Sequence, residues 1–141
     1  MSSKSLWPSF QKTPLAKTPK IILEEQAKLL EKESHGYITA EVVTTLVTTS
    51  VNKVSHLLRF TAPLVENHLV QVVSVEHEII KYYPLSITAR IKPMAVLSGA
   101  ANEEEFTAAL QKIFNEKETI ETVESLMLQS KAIENFSNKH S

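Results

Sequence analysis

Five histidines and sixteen glutamates, with three tyrosines, are the side chains of this sequence most able to move a proton or hold a ligand. His56 alternates with Ser55 and Leu57 in a run where Val54, Leu58 and Phe60 share its parity, so it points where the apolar residues point. A histidine there either packs with its ring nitrogens bonded or works as a base, and packing is the simpler reading. Glu66 and His68 stand two apart, which puts both on one face of a strand. With His56 they offer two imidazoles and a carboxylate, the donor types of a facial metal site. The spacing is not a motif such as H-E-x-x-H, so no metal is assigned. Glu76, His77 and Glu78 close the same run, and strict alternation sends His77 to the face opposite His68. Tyr82 and Arg90 share parity with Ser86 and Thr88, a polar face with residue types favoured at contacts. His56, Glu66, His68, Tyr82 and Arg90 are therefore the candidates for a pocket or an interface, and no residue is assigned a catalytic role.

The absences are sharper than the candidates. Every acidic residue is glutamate, cysteine is missing, and the only glycines are Gly36 and Gly99. A phosphate-cradling loop needs several glycines close together, because the backbone must approach the phosphates and take positive φ. The nucleophile elbow of a serine hydrolase falls for the same reason. Aspartate-held magnesium and calcium sites, thiol nucleophiles and thiolate metal centres are excluded with them. No cofactor is implied. Residues 1–92 carry eleven Lys or Arg against eight Glu, and residues 93–141 carry four Lys against eight Glu. Only Arg59 and Arg90 supply guanidinium forks, which argues against a nucleic-acid partner. No apolar run approaches the ~20 residues of a membrane helix, and the N-terminus has no apolar signal region. A cytoplasmic location and no membrane partner are the expectation.

The elements that must position these residues follow from period and punctuation. Residues 1–18 read as an extended arm, broken by Pro8 and Pro14, basic, and carrying Leu6, Trp7, Phe10 and Leu15. Thr18 followed by Pro19 predicts a helix start, and His35-Gly36 its end, with Gly36 at the first position past the cap. The period then drops to two. Strands are predicted around residues 38–46, 54–62, 68–76 and 79–91, the third apolar on both faces and so central in a sheet covered on both sides. Pro84 marks a bulge or an edge. Phe106, Ala109, Leu110, Ile113 and Phe114 restore a helical period behind an Asn102–Glu105 capping box. Asn115 and Glu118 repeat that spacing ahead of a last helix, which brings Ile120, Val123, Leu126 and Met127 inward. Short connections favour a meander. The predicted class is α+β, a four-stranded antiparallel sheet flanked by one N-terminal and two C-terminal helices, in the order α-β-β-β-β-α-α. Residues 19–134 form the single domain, and residues 135–141 a fraying tail.

Two functions are compatible with this pattern. The first is a non-enzymatic interaction module, homo-oligomeric, with Leu6, Trp7, Phe10 and Leu15 of the arm reaching a protein partner. Its support is apolar strand surface beyond what three short helices cover, which a second subunit would bury. The second is a small-molecule-binding or small enzymatic α+β domain, with a pocket lined by His, Tyr and Arg from the sheet. Neither uses a nucleotide. Calorimetric titration with ATP, GTP or NAD in the presence of magnesium should show no binding heat, and micromolar affinity for any of them would contradict the exclusion of glycine-rich loops.

Overall fold

The computed structural model describes residues 4–8, 10, 17–91 and 96–140, so Leu15 of the arm lies outside the described residues. Helix α1 (Pro19–Glu33) begins where a hydroxyl and a proline coincide. The extended Thr18 accepts a hydrogen bond from the Ile21 N–H at 3.2 Å, and Pro19 has no N–H to leave unpaired. At its other end His35 N–H donates to the Lys32 carbonyl and Gly36 N–H to the Glu31 carbonyl, both at 3.0 Å, the paired bonds of a Schellman close. His35 itself takes the first left-handed position, φ 54°, and Gly36 the next, φ 82°, one place later than the sequence suggested.

Five strands follow: β1 (Thr39–Leu46), β2 (Lys53–Ala62), β3 (His68–Glu78), β4 (Lys81–Ala89) and β5 (Val96–Ala100). They pair in sequence order, each antiparallel to the next. Helices α2 (Glu103–Phe114) and α3 (Lys117–His140) complete the chain. The class and the helix order are as the sequence predicts, but the sheet has five strands rather than four. The unpredicted β5 is five residues long and interrupts its apolar alternation with Ser98-Gly99. Gly99 is there because a Cβ would come within 3.3 Å of the Leu85 carbonyl oxygen. Further differences are local. Ile79 and Ile80 form the turn before β4 instead of its start, and Ile80 is 94% exposed. Asn115 closes α2 rather than opening α3, its Nδ2 donating to the Gln111 carbonyl at 2.8 Å. Residues 135–140, expected to fray, continue α3.

One inserted residue sets the facing of the central strand. Leu58 pairs with Val73, while the next residue, Arg59, pairs with Gln71, so Val72 is a bulge in β3. Val70, Val73 and Val75 are thereby paired with Phe60, Leu58 and His56, and Val72 lines the same side. All four valines face the helices. The apolar run that suggested a sheet covered on both faces is instead a bulged strand covered on one. Ile22 and Leu23 of α1, Phe106 and Leu110 of α2, and Leu126 of α3 close the core over that face. The opposite face bears Val43 and Leu57 among polar residues: Glu41 pairs with Arg59 at 2.7 Å, and Arg90 lies over Ser74. A side chain of α1 also reaches the sheet directly, since the Ala40 N–H donates to Glu31 Oε1 at 2.9 Å.

Removing the Thr18 hydroxyl tests the start of α1. Thr18→Ala should lower the stability by about 1 kcal/mol through the lost cap, read as a shift in the midpoint of chemical denaturation without a change in slope. An unmoved midpoint would mean that the cap contributes nothing.

Candidate functional site

The structure parts Glu66, His68 and Arg90 from His56 and Tyr82, which both reach His77. Glu66 lies in the turn between β2 and β3 at φ 52°, and His68 opens β3 beside Glu121 and Ser125 of α3. Arg90 donates from Nε and Nη2 to Ser74 Oγ, at 3.1 and 3.0 Å, on the face away from the helices. Tyr82 is not beside it. The β4 register jumps between its partners at Glu76 and Glu78, and Tyr82 instead meets His77 edge-on, with ring centroids 5.6 Å apart. His56 is buried on the helix side, far along β2 from the residue paired with His68, which is Ala62. No group of three or more His, Glu, Asp or Cys side chains suited to a metal comes together among the described residues.

What His56 meets is a histidine the sequence placed wrongly. The bulge at Val72 inverts the parity of β3, so His77 shares the face of His68 and stands opposite Val54, one step from His56. His56 Nε2 and His77 Nε2 are 2.9 Å apart, and both residues are only 5% exposed. The other nitrogens are held by oxygen: Thr44 Oγ1 is 2.8 Å from His56 Nδ1, and the Glu78 carbonyl is 2.6 Å from His77 Nδ1. These bonds admit one neutral arrangement. A carbonyl only accepts, so His77 carries its proton on Nδ1 and presents a bare Nε2. His56 then donates from Nε2 and accepts the Thr44 hydroxyl proton at Nδ1. The chain of bonds crosses three strands and leaves no ring nitrogen unpaired. Burial, then the neighbouring His77 and the charge of Lys20, push the His56 pKa down to about 4. A satisfied structural histidine, the simpler reading of the sequence, is what this geometry describes. Tyr83 is a different case: its buried hydroxyl has no hydrogen-bond partner among the described residues, and burial together with Glu103 raises its pKa, so it stays protonated.

The most apolar opening among the described residues lies elsewhere, in the helical layer. Helix α1 packs on β1 and β2, and α2 on β5. Strands are about 4.8 Å apart, so the sheet is roughly 19 Å wide between its edge strands, whereas packed helices sit about 8–10 Å apart. Two helices near the two edges cannot close over the middle. Helix α3 returns across that middle and leaves a cleft of about 330 Å³. Leu29 and Leu30 form one wall, Ile120 and Val123 the other, Leu58, Phe60 and Val72 the floor, and Phe114 one end. The polar groups, Gln26, Glu33, Thr119 and Glu124, contribute little of the lining. The Thr119 hydroxyl is already committed to the Ile113 carbonyl at 2.8 Å. None of the five candidate residues lines the cleft, and no histidine does. The sequence did carry a signal for it. Leu29 and Leu30 are adjacent, and Leu29 widens the apolar stripe of α1 past what the core covers, leaving it 47% exposed.

The lowered pKa of His56 sets the sign of a pH effect. The folded protein holds this imidazole neutral to about pH 4, whereas the unfolded chain protonates it near its ordinary 6.5. The unfolded state therefore binds the extra proton between these values, and stability falls as pH drops from 6.5 toward 4. His56→Gln should flatten that slope in denaturation midpoints measured across the interval. Equal slopes in the two proteins would show that His56 is not the titrating group. Compared with models of known protein families, with curated proteins and with solved structures, the chain finds no match.

Proposed function

We propose that the chain is a non-enzymatic protein-interaction module whose working surface is the cleft between α1 and α3. One observation carries the reading: an open, apolar cleft whose floor holds no group able to act as acid, base or nucleophile. His56 and His77 are spent on each other inside the sheet, and His68 lies outside this cleft. At about 330 Å³ the cleft is at the small end of ligand pockets, which run roughly 300–1,000 Å³. It suits a pair of large apolar side chains better than a nucleotide. Glu33 and Glu124 at its rim favour an occupant whose neighbouring groups are cationic. Of the residues considered from the sequence for a pocket, His56 and Tyr82 both reach His77, whereas Arg90 bonds Ser74 on the face away from the helices and His68 stands at the other end of β3. No helix among the described residues is long and apolar enough to cross a membrane.

A neutral fluorescent probe, N-phenyl-1-naphthylamine, tests the surface directly. Dilute protein should bind it saturably. Leu29→Glu and Ile120→Glu, both at the mouth and partly exposed, should weaken binding at least about tenfold while circular dichroism stays unchanged. Absence of binding, or equal binding by both variants, would remove the cleft as the working surface.

A further inference from the structure

We infer that the occupant of the cleft is the N-terminal arm of a second copy of this chain, exchanged reciprocally in a two-fold dimer. The inference rests on the reading of the cleft as the working surface and names its partner. Its first support is the arm itself. Leu6 is 96% exposed, Trp7 78% and Phe10 71%, and the described residues around them form no helix or strand. The Trp7 and Phe10 rings lean on each other, centroids 6.3 Å apart and planes tilted by 48°. They make a two-ring knob with no core beneath it. Aromatic side chains bury roughly 150–250 Å² each, so leaving two in water is a large unused contact.

The second support is charge. The first twenty residues hold Lys4, Lys12, Lys17 and Lys20 and no acid. The cleft answers with Glu33 and Glu124 at its rim. Pairing of this kind already occurs where the arm joins the domain, since Lys17 Nζ lies 3.1 Å from Glu25 Oε2 on α1.

The third support is placement. The arm leaves α1 at its N-terminus, whereas the cleft runs beside Gln26, Leu29, Leu30 and Glu33, in the C-terminal half of that helix. Two α1 helices set antiparallel about a two-fold axis bring each N-terminus beside the other's cleft. Ile21 and Leu29, 44% and 47% exposed, are equally spaced about Glu25, so each would face its counterpart of the other type across that axis. The contact is then isologous and closes at two chains. Reach alone does not choose between this cleft and the chain's own, because the eight steps from Phe10 to Thr18 would span at most roughly 26–29 Å if fully extended. The exposure of Leu6, Trp7 and Phe10 in the single chain does: these three side chains do not fill its own cleft.

Trp7 is the only tryptophan, so its emission reports its surroundings. Emission and light-scattering mass are followed together from about 0.1 to 100 µM protein. The expected result is a blue shift that accompanies a doubling of mass. Leu29→Glu should move that transition at least about tenfold higher in concentration, and Trp7→Ala should move the mass transition as far. Trace wild-type protein mixed with excess Trp7→Ala chain, which keeps the cleft but lacks the fluorophore, should also shift to the blue. Three outcomes overturn the inference: solvent-type emission at every concentration; blue emission with monomeric mass, which places the arm in its own cleft; or a dimer whose Trp7 stays in water. The naphthylamine probe separates the two readings. If it binds the Trp7→Ala chain while any of these outcomes holds, the cleft stands and the arm fails. If it does not bind that chain, the cleft reading itself fails.

Discussion

The facing of every side chain on β3 turns on Val72. A strand in the middle of a sheet has a period of two, and an inserted residue resets it. Upstream of the insertion Val70 faces the helices; downstream Val73 and Val75 do so, with Val72 beside them. Were Val72 paired in strict alternation instead of bulged, one end of the strand would present its valines to water and Gln71 or Ser74 to the core. The same residue delivers His77 to the side of His56 and so permits the chain of bonds from Thr44 to the Glu78 carbonyl. It also leaves the far face of the sheet to Glu41, Arg59, Ser74 and Arg90, which solvate or pair with one another. Core, histidine pair and polar face share one cause.

Much of this could be read from residue types, and the failures have identifiable reasons. Thr18-Pro19 and Asn102–Glu105 specify helix starts by local bonding, and local bonding survives whatever the rest of the chain does. Phe106, Leu110 and Ile113 are buried at the spacing that revealed them. The missed strand is short and glycine-containing, and it exists because β4 offers it a partner: Leu85 pairs with Ala100 and Ala89 with Val96. Pairing of that kind is not written in the five residues themselves. The two valines at 72 and 73 mislead for a related reason. An apolar doublet reads equally as a strand covered on both faces or as a bulge, and only the register against Leu58 and Arg59 separates them. Asn115 has the chemistry of either kind of cap, and the two-residue link to α3 decided which end it serves.

The site was the least legible part. Sequence reasoning looked for convergent polar groups, and the structure's opening is made by the mismatch between a five-stranded sheet and the helices available to roof it. Helix α3 spans the uncovered middle, and its Ile120 and Val123 line the cleft opposite Leu29 and Leu30 of α1. Such a gap belongs to the assembly of layers and to no motif. The sole hint was an excess: α1 and the arm together carry more apolar side chains than the core consumes, Leu29, Trp7 and Phe10 among them.

The bond from the Ala40 N–H to Glu31 has a consequence for how the sheet meets other chains. β1 is an edge strand, and an edge with unpaired amides is a template onto which a foreign strand can dock. Here a carboxylate from α1 occupies one of those amides at 2.9 Å, so an incoming strand would have to displace a charge-assisted bond as well as pass a helix. The opposite edge, β5, is five residues long and includes a glycine. Growth of the sheet by strand addition at the β1 margin is therefore discouraged.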